Sequence, residues 1–125
     1  LPILALSKTI DTPEVHFDHE KGLFRIEGES YPENAMEFYR PVLESLNTFV
    51  ETAELPLKID FKMMYFNSSS SKCLLDIFDL LEEYSTSGKK VMVYWYYQED
   101  DEDIRESGED FAEDLGLEFN LVAYK

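Results

Sequence analysis

Cysteine is nearly missing: Cys73 stands alone in 125 residues, which excludes an internal disulfide and a cysteine-rich metal centre. Histidine is almost as scarce. His16 and His19 lie on and beside one strand, where they point in different directions, and no cysteine is near to complete a metal-ligand set. Basic residues are outnumbered 27 to 11, so the formal net charge is -16 and phosphate backbones or anionic lipid would be repelled. Nucleic acid and membrane are therefore not expected as partners, whereas a basic protein surface is. No apolar run is long enough to span a bilayer and no signal-peptide pattern shows, so a cytoplasmic location is the expectation. Five glycines leave no Gly-x-Gly-x-x-Gly, and Gly88-Lys89-Lys90 lacks the upstream glycine and following hydroxyl of a phosphate-binding loop. Neither a cofactor nor a metal is expected.

What the chain does hold is apolar and aromatic: 44% hydrophobic and 14% aromatic residues suffice for a packed core, and 125 residues fit one domain. Leu1 to Thr12 has no clear period and reads as a loose arm or an edge strand. Glu14 to Asp18 and Leu23 to Glu27 alternate around a glycine-containing turn, the pattern of a β-hairpin. Ser30 and Glu33 stand at capping-box spacing with Pro32 between them, which predicts a helix reaching about Thr52. Its expected core stripe is Met36, Tyr39, Leu43, Leu46 and Val50, with a kink or break at Pro41.

Leu57 to Phe66 begins by alternating and then turns apolar at every position from Met63. A strand whose second half is buried on both faces is the expectation. A central helix follows to about Tyr84, with Leu74, Ile77, Phe78 and Leu81 inward and Gly88 as a left-handed stop. Val91 to Tyr97 is apolar or aromatic throughout and is expected at the centre of the sheet. Gln98 to Asp114 is acidic but keeps Ile104, Phe111 and Leu115 at helical spacing, ahead of Gly116 as its cap. Leu117 to Tyr124 forms the last strand. The predicted order β-β-α-β-α-β-α-β describes an α/β domain with a mixed, mostly parallel sheet flanked by helices.

The stretch that organises this order is Asn67-Ser68-Ser69-Ser70-Ser71-Lys72, between a strand and a helix. Serine oxygens there can cap the free amides of the helix start, and the same amides favour an anion. A helix cap and a phosphorylatable switch are thus both compatible with the pattern. Lys72 opposes the helix dipole unless it meets a phosphate or a partner's carboxylate. Asp76 and Asp79 form an acidic pair or a solvated face. Ser69-x-x-Lys72 fits a short pattern of serine hydrolases, but the companion Ser-Asp-Asn and Lys-Thr-Gly motifs are absent. No nucleophile, base and oxyanion donors assemble, so an enzyme is not expected.

Two blocks resemble the SiaC family of bacterial regulatory phosphoproteins. One is Gly28-Glu29-Ser30-Tyr31-Pro32-Glu33-Asn34. The other is Tyr65-Phe66-Asn67-Ser68-Ser69-Ser70-Ser71-Lys72 running into Asp76-Ile77-Phe78-Asp79-Leu80-Leu81-Glu82-Glu83. The resemblance implies a fold similar to anti-sigma-factor antagonists (STAS-like) and a switch set by Ser/Thr phosphorylation at the start of the central helix. It implies a partner Ser/Thr kinase, a PP2C-type phosphatase, and a diguanylate cyclase that the unmodified form binds and activates in biofilm and aggregation signalling through c-di-GMP. The family's acceptor, typically a threonine after the asparagine, falls on Ser68, with Ser69, Ser70 and Ser71 adjoining. Asn67, Ser69, Lys72, Asp76 and Asp79 are then the expected partner-binding residues. An antagonist of an anti-sigma kinase and a small hydrolase using Ser69 and Lys72 are the alternatives.

Overall fold

The computed structural model describes residues 3–125. The elements are β1 (Ile3–Leu6), β2 (Glu14–Asp18), β3 (Leu23–Ser30), α1 (Ala35–Thr52), β4 (Leu57–Phe66), α2 (Ser68–Thr86), β5 (Val91–Gln98), α3 (Glu102–Glu113) and β6 (Glu118–Tyr124). The expected order holds, with one strand added in front. Of the N-terminal arm, Ile3–Leu6 is an edge strand, β1, paired antiparallel with β2, while Leu1 and Pro2 lie outside the described residues.

The six strands lie in sequence order, β1-β2-β3-β4-β5-β6. The first two pairings are antiparallel and the next three parallel, as a front hairpin followed by helical crossovers requires. All three crossovers step the same way along the sheet, so a common hand places their helices on one face. Aromatic contacts show that placement: Phe49 of α1 meets Phe17, Phe78 of α2 meets Phe61, and Phe111 of α3 meets Trp95. The core therefore lies between one face of the sheet and one helical layer. The other face is open.

That one-sided layering corrects two expectations. β4 is not buried on both faces near its end: Met64 is 36% and Tyr65 52% exposed. β5 is next to the edge rather than central. Its apolar run arises because Met92, Tyr94 and Tyr96 sit half-covered on the open face while Val91, Val93 and Trp95 face the core. Lys58 lies over the Tyr94 ring at 5.3 Å, so an aromatic residue there is compatible with partial solvation.

In α1 the cap is Asn34, whose side-chain oxygen accepts from the Glu37 amide at 3.1 Å. Ser30 is instead the last residue of β3, and its hydroxyl is committed elsewhere. The inward stripe of α1 is Ala35, Tyr39, Val42, Leu46 and Phe49. Tyr39 and Leu46 were expected; Met36 is exposed, and Leu43 and Val50 are half-buried. The sequence carries two adjacent apolar stripes, and the one bearing Phe49 as well as Tyr39 turns to the sheet. Pro41 does not split the helix. It lies on the exposed side, where the carbonyl it leaves without a donor can reach water.

α2 buries Leu74, Ile77, Phe78 and Leu81 as expected, with Cys73 beside them, and Gly88 takes a left-handed φ of 96° after it. Cys73 is a buried thiol that donates to the Met36 sulfur at 3.7 Å. Burial pushes its pKa up, with Asp76 adding to the rise, which suits a packed rather than a reactive thiol. Gly116 does not cap α3; the C-cap is Asp114, and the Gly116 amide donates to Glu82. His19 turns inward, stacked on Phe17 at 4.1 Å with Nε2 2.7 Å from the Ser45 hydroxyl oxygen, while His16 faces the open side.

Candidate functional site

The turn from β4 into α2 is held by one side chain. Asn67 is the N-cap residue of α2, and its Oδ1 accepts from the Ser70 amide at 2.9 Å. Its carbonyl accepts from the Ser71 amide at 2.9 Å, and its own amide donates to the Ser30 carbonyl at 3.0 Å. The serines are therefore not the cap. Ser68 is the first helical residue, and among the described residues the Ser68 and Ser69 amides have no hydrogen-bond partner.

The four hydroxyls face different surroundings. Ser68 and Ser69 are exposed, Ser71 is half-buried, and Ser70 is fully buried. The Ser70 and Ser30 hydroxyl oxygens are 2.8 Å apart, and Ser30 is 2.7 Å from the Tyr39 hydroxyl. This sealed chain ties the end of β3 to α1 and to the first turn of α2. Burial pushes the Tyr39 phenol up to about 12 even though the Ser30 hydrogen bond pulls the other way. An enzyme approaching the turn meets Ser68 and Ser69; Ser70 is reachable only after the buried network opens.

Lys72 is exposed and makes no ion pair among the described residues. Four positions separate it from Ser68, so the two share one face of α2. Asp76 and Asp79 continue that exposed stripe, with the 48% exposed Leu75 beside them. A phosphate on Ser68 would find the open amides of the helix start and a cation one turn away. Ser69 and Lys72 are both exposed, and among the described residues no hydrogen bond joins them. A serine nucleophile needs an oriented, partly desolvated base, which this pair does not provide.

Sequence reasoning passed over two features of this end of the molecule. Tyr31 and Tyr65 are exposed and meet edge-on at 6.0 Å, and Met64 lies beside them in β4. The Ser30–Tyr39–Ser70 chain was hidden because Ser30 stood at a helix-cap spacing. The fully apolar run Met63 to Phe66 was the available signal for the first feature, since a one-sided sheet must leave part of such a run outside.

Comparison with known proteins places the chain. It matches the family described as SiaC family regulatory phosphoprotein over residues 6–124. It is 35% identical over 121 residues to an uncharacterized protein of Pseudomonas aeruginosa strain UCBPP-PA14, covering 97% of this chain and 96% of that one. The solved structure of SiaC of Pseudomonas aeruginosa is similar at a TM-score of 0.93 and 33% identity, covering 99% of this chain and all of that one. Another match, at TM-score 0.93 and 35% identity, covers 97% of this chain and 99% of that one. It comes from the crystal structure of diguanylate cyclase SiaD in complex with its activator SiaC from the same species.

Proposed function

The chain belongs to the SiaC family of regulatory phosphoproteins, and from that premise we propose that it is a phosphorylation-switched activator of a diguanylate cyclase. In this reading it acts by binding and is not itself an enzyme. A Ser/Thr kinase modifies Ser68, a PP2C-type phosphatase restores the hydroxyl, and the unmodified form engages the cyclase in the cytoplasm. The observation that carries the proposal is the exposed Ser68 hydroxyl at the first position of α2, freed from capping duty by Asn67.

The physical logic is local. A phosphate adds about -1.5 to -2 charges and strong acceptor oxygens. The open amides of Ser68 and Ser69 and the ammonium of Lys72 can hold it without refolding the domain. Covering a hydroxyl at a protein interface costs little, whereas covering a dianion requires that it be stripped of water or paired. A loss of only ~3 kcal/mol weakens binding about a hundredfold.

Co-purification followed by reconstitution tests the reading. Wild type and Ser68→Ala should bind and stimulate the recovered cyclase, while Ser68→Asp and the kinase-treated protein should lose about a hundredfold in affinity. Peptide mass mapping should locate the phosphate on Ser68, and Ser69→Ala should remain a kinase substrate. Equal cyclase affinity for unmodified and phosphorylated protein, or recovery of a sigma-factor regulator in place of a cyclase, would defeat the proposal.

A further inference from the structure

At the end of the sheet remote from Ser68, the open face holds a cavity of about 260 Å³. It is bounded by β2, β3, the turn between them and the start of β4. The strand registers explain its lining. His16, Arg25 and Asp60 are cross-strand neighbours in one row, and Asp18, Leu23 and Lys58 form the next. Lys21 joins them from the turn. Lys58 stands near the start of β4 and Ser68 follows its end, so roughly 25 Å of strand separates the cavity from the serine turn.

Three of the chain's 11 basic residues and one of its two histidines line this one cavity, in a chain of net charge -16. Their donors are mostly unclaimed. Lys21 is exposed and makes no ion pair among the described residues. Arg25 gives Nη2 to Glu14 at 3.1 Å, an exposed pair that contributes little, and the rest of its planar fork makes no hydrogen bond among the described residues. Lys58 lies 3.7 Å from Oδ2 of Asp60. The carboxylates are less available. Oδ1 of Asp18 already accepts from the Glu20 and Lys21 amides. Oδ1 of Asp60 is shut from solvent and has no hydrogen-bond partner among the described residues, so its charge is supported by the cations beside it. Lys58 and Arg25 are thereby kept at the cavity before any ligand arrives, which lowers the ordering cost of capturing an anion.

We propose that this cavity binds a small sugar phosphate. Lys21 and Lys58 supply point charges to the phosphate, and the guanidinium of Arg25 grips its oxygens through paired N–H groups. His16 and the second carboxylate oxygen of Asp18 serve the sugar hydroxyls. The volume lies just below the range of about 300–1,000 Å³ usual for ligand cavities, which suits a ligand of this size. The lining favours a sugar over a nucleotide, because it offers no exposed Phe, Tyr or Trp on which a base could stack. Phe24 is only 2% exposed, its ring turned to Phe17 at 4.9 Å. Leu23, 45% exposed, covers the less polar side of the sugar. The site is separate from the serine turn, and the proposal does not depend on which effector that turn engages.

Isothermal titration of the wild-type protein with ribose 5-phosphate tests it. The dissociation constant should be on the order of 0.1–1 mM. Lys21→Ala and Arg25→Ala should each weaken binding about tenfold. Arg105→Ala, which removes the same charge from α3, should bind as wild type does. Inorganic phosphate and unphosphorylated ribose should each bind about tenfold more weakly than ribose 5-phosphate, and AMP no more tightly. Lys21 lies in an exposed turn, so its variant reads the site even if Arg25→Ala fails to fold. No binding at about 10 mM ribose 5-phosphate overturns the proposal. So does an equal loss in Arg105→Ala, or inorganic phosphate or AMP binding more tightly than the sugar phosphate.

Discussion

The two faces of the sheet are made from alternate residues of the same strands, yet they do different work. On the covered face Phe17, Phe24, Ile26, Ile59, Phe61, Val93 and Trp95 are shut beneath the helices. On the open face the charges are paired within the sheet: Arg25 with Glu14 at 3.1 Å, Lys58 with Asp60 at 3.7 Å, and Lys62 with Glu27 at 4.0 Å. Burial of a large apolar side chain stabilises by about 1.5–3 kcal/mol, while an exposed ion pair contributes about 0–1 kcal/mol. Stability is therefore concentrated on one parity of each strand. The other parity is free to serve as a surface, and at the end of β4, where Gly28 pairs with Met63 but Glu29 with Tyr65, a bulge extends that freedom to a second consecutive residue.

Substitutions can test how sharply the faces divide. The largest effect is expected at Gly108, on the inner side of α3, where an added Cβ would lie 2.4 Å from Cδ1 of Trp95. Gly108→Val should destabilise the fold by about 3 kcal/mol and lower Tm by roughly 10 °C in calorimetry. A neutral result would mean that α3 is not seated on the core as described.

Tyr39→Phe should come next. At neutral pH it removes one buried hydrogen bond, a loss of about 1 kcal/mol in urea denaturation. Its pH dependence is more informative. The folded phenol titrates near 12 and the unfolded one near 10, so its protonated form is favoured by folding. That stability is present below pH 10 and disappears as pH rises from 10 through 12. It amounts to an alkaline loss on the order of 2 kcal/mol, and Tyr39→Phe should lack it.

The smallest effect is expected on the open face. Lys58→Met removes the Asp60 ion pair and the Tyr94 contact, and should move stability by no more than about 0.5 kcal/mol. A loss of about 2 kcal/mol there would show that the open face shares in holding the fold together.

Much of this architecture was legible in the residues. The hairpin, the inward stripe of α2 and the left-handed Gly88 follow from alternation, helical spacing and a stop signal, all of them local effects. What failed was long-range. Ser30 looked like a cap because its spacing to Glu33 is right, but its hydroxyl is claimed by Tyr39 and Ser70, one of them 40 positions away. Val91 to Tyr97 looked central because the pattern cannot distinguish a covered tyrosine from one lying beneath a lysine, as Tyr94 does. At the candidate site, the serine turn and its place at a helix start were visible. The identity of the capping atom was not, nor was the inequality of the four hydroxyls, because both depend on which side of the first turn meets the core.

The amide side chain of Asn67 separates two jobs that many helix starts leave to one residue. Because the neighbouring position contributes nothing to the architecture of the turn, it can be exchanged, between serine and threonine for example, or chemically altered and restored, while the scaffold stays as it was. A change of that hydroxyl therefore leaves the bonds that shape the turn in place. Conversely, losing the asparagine would disturb the helix entrance itself, and with it the placement of the neighbouring hydroxyl.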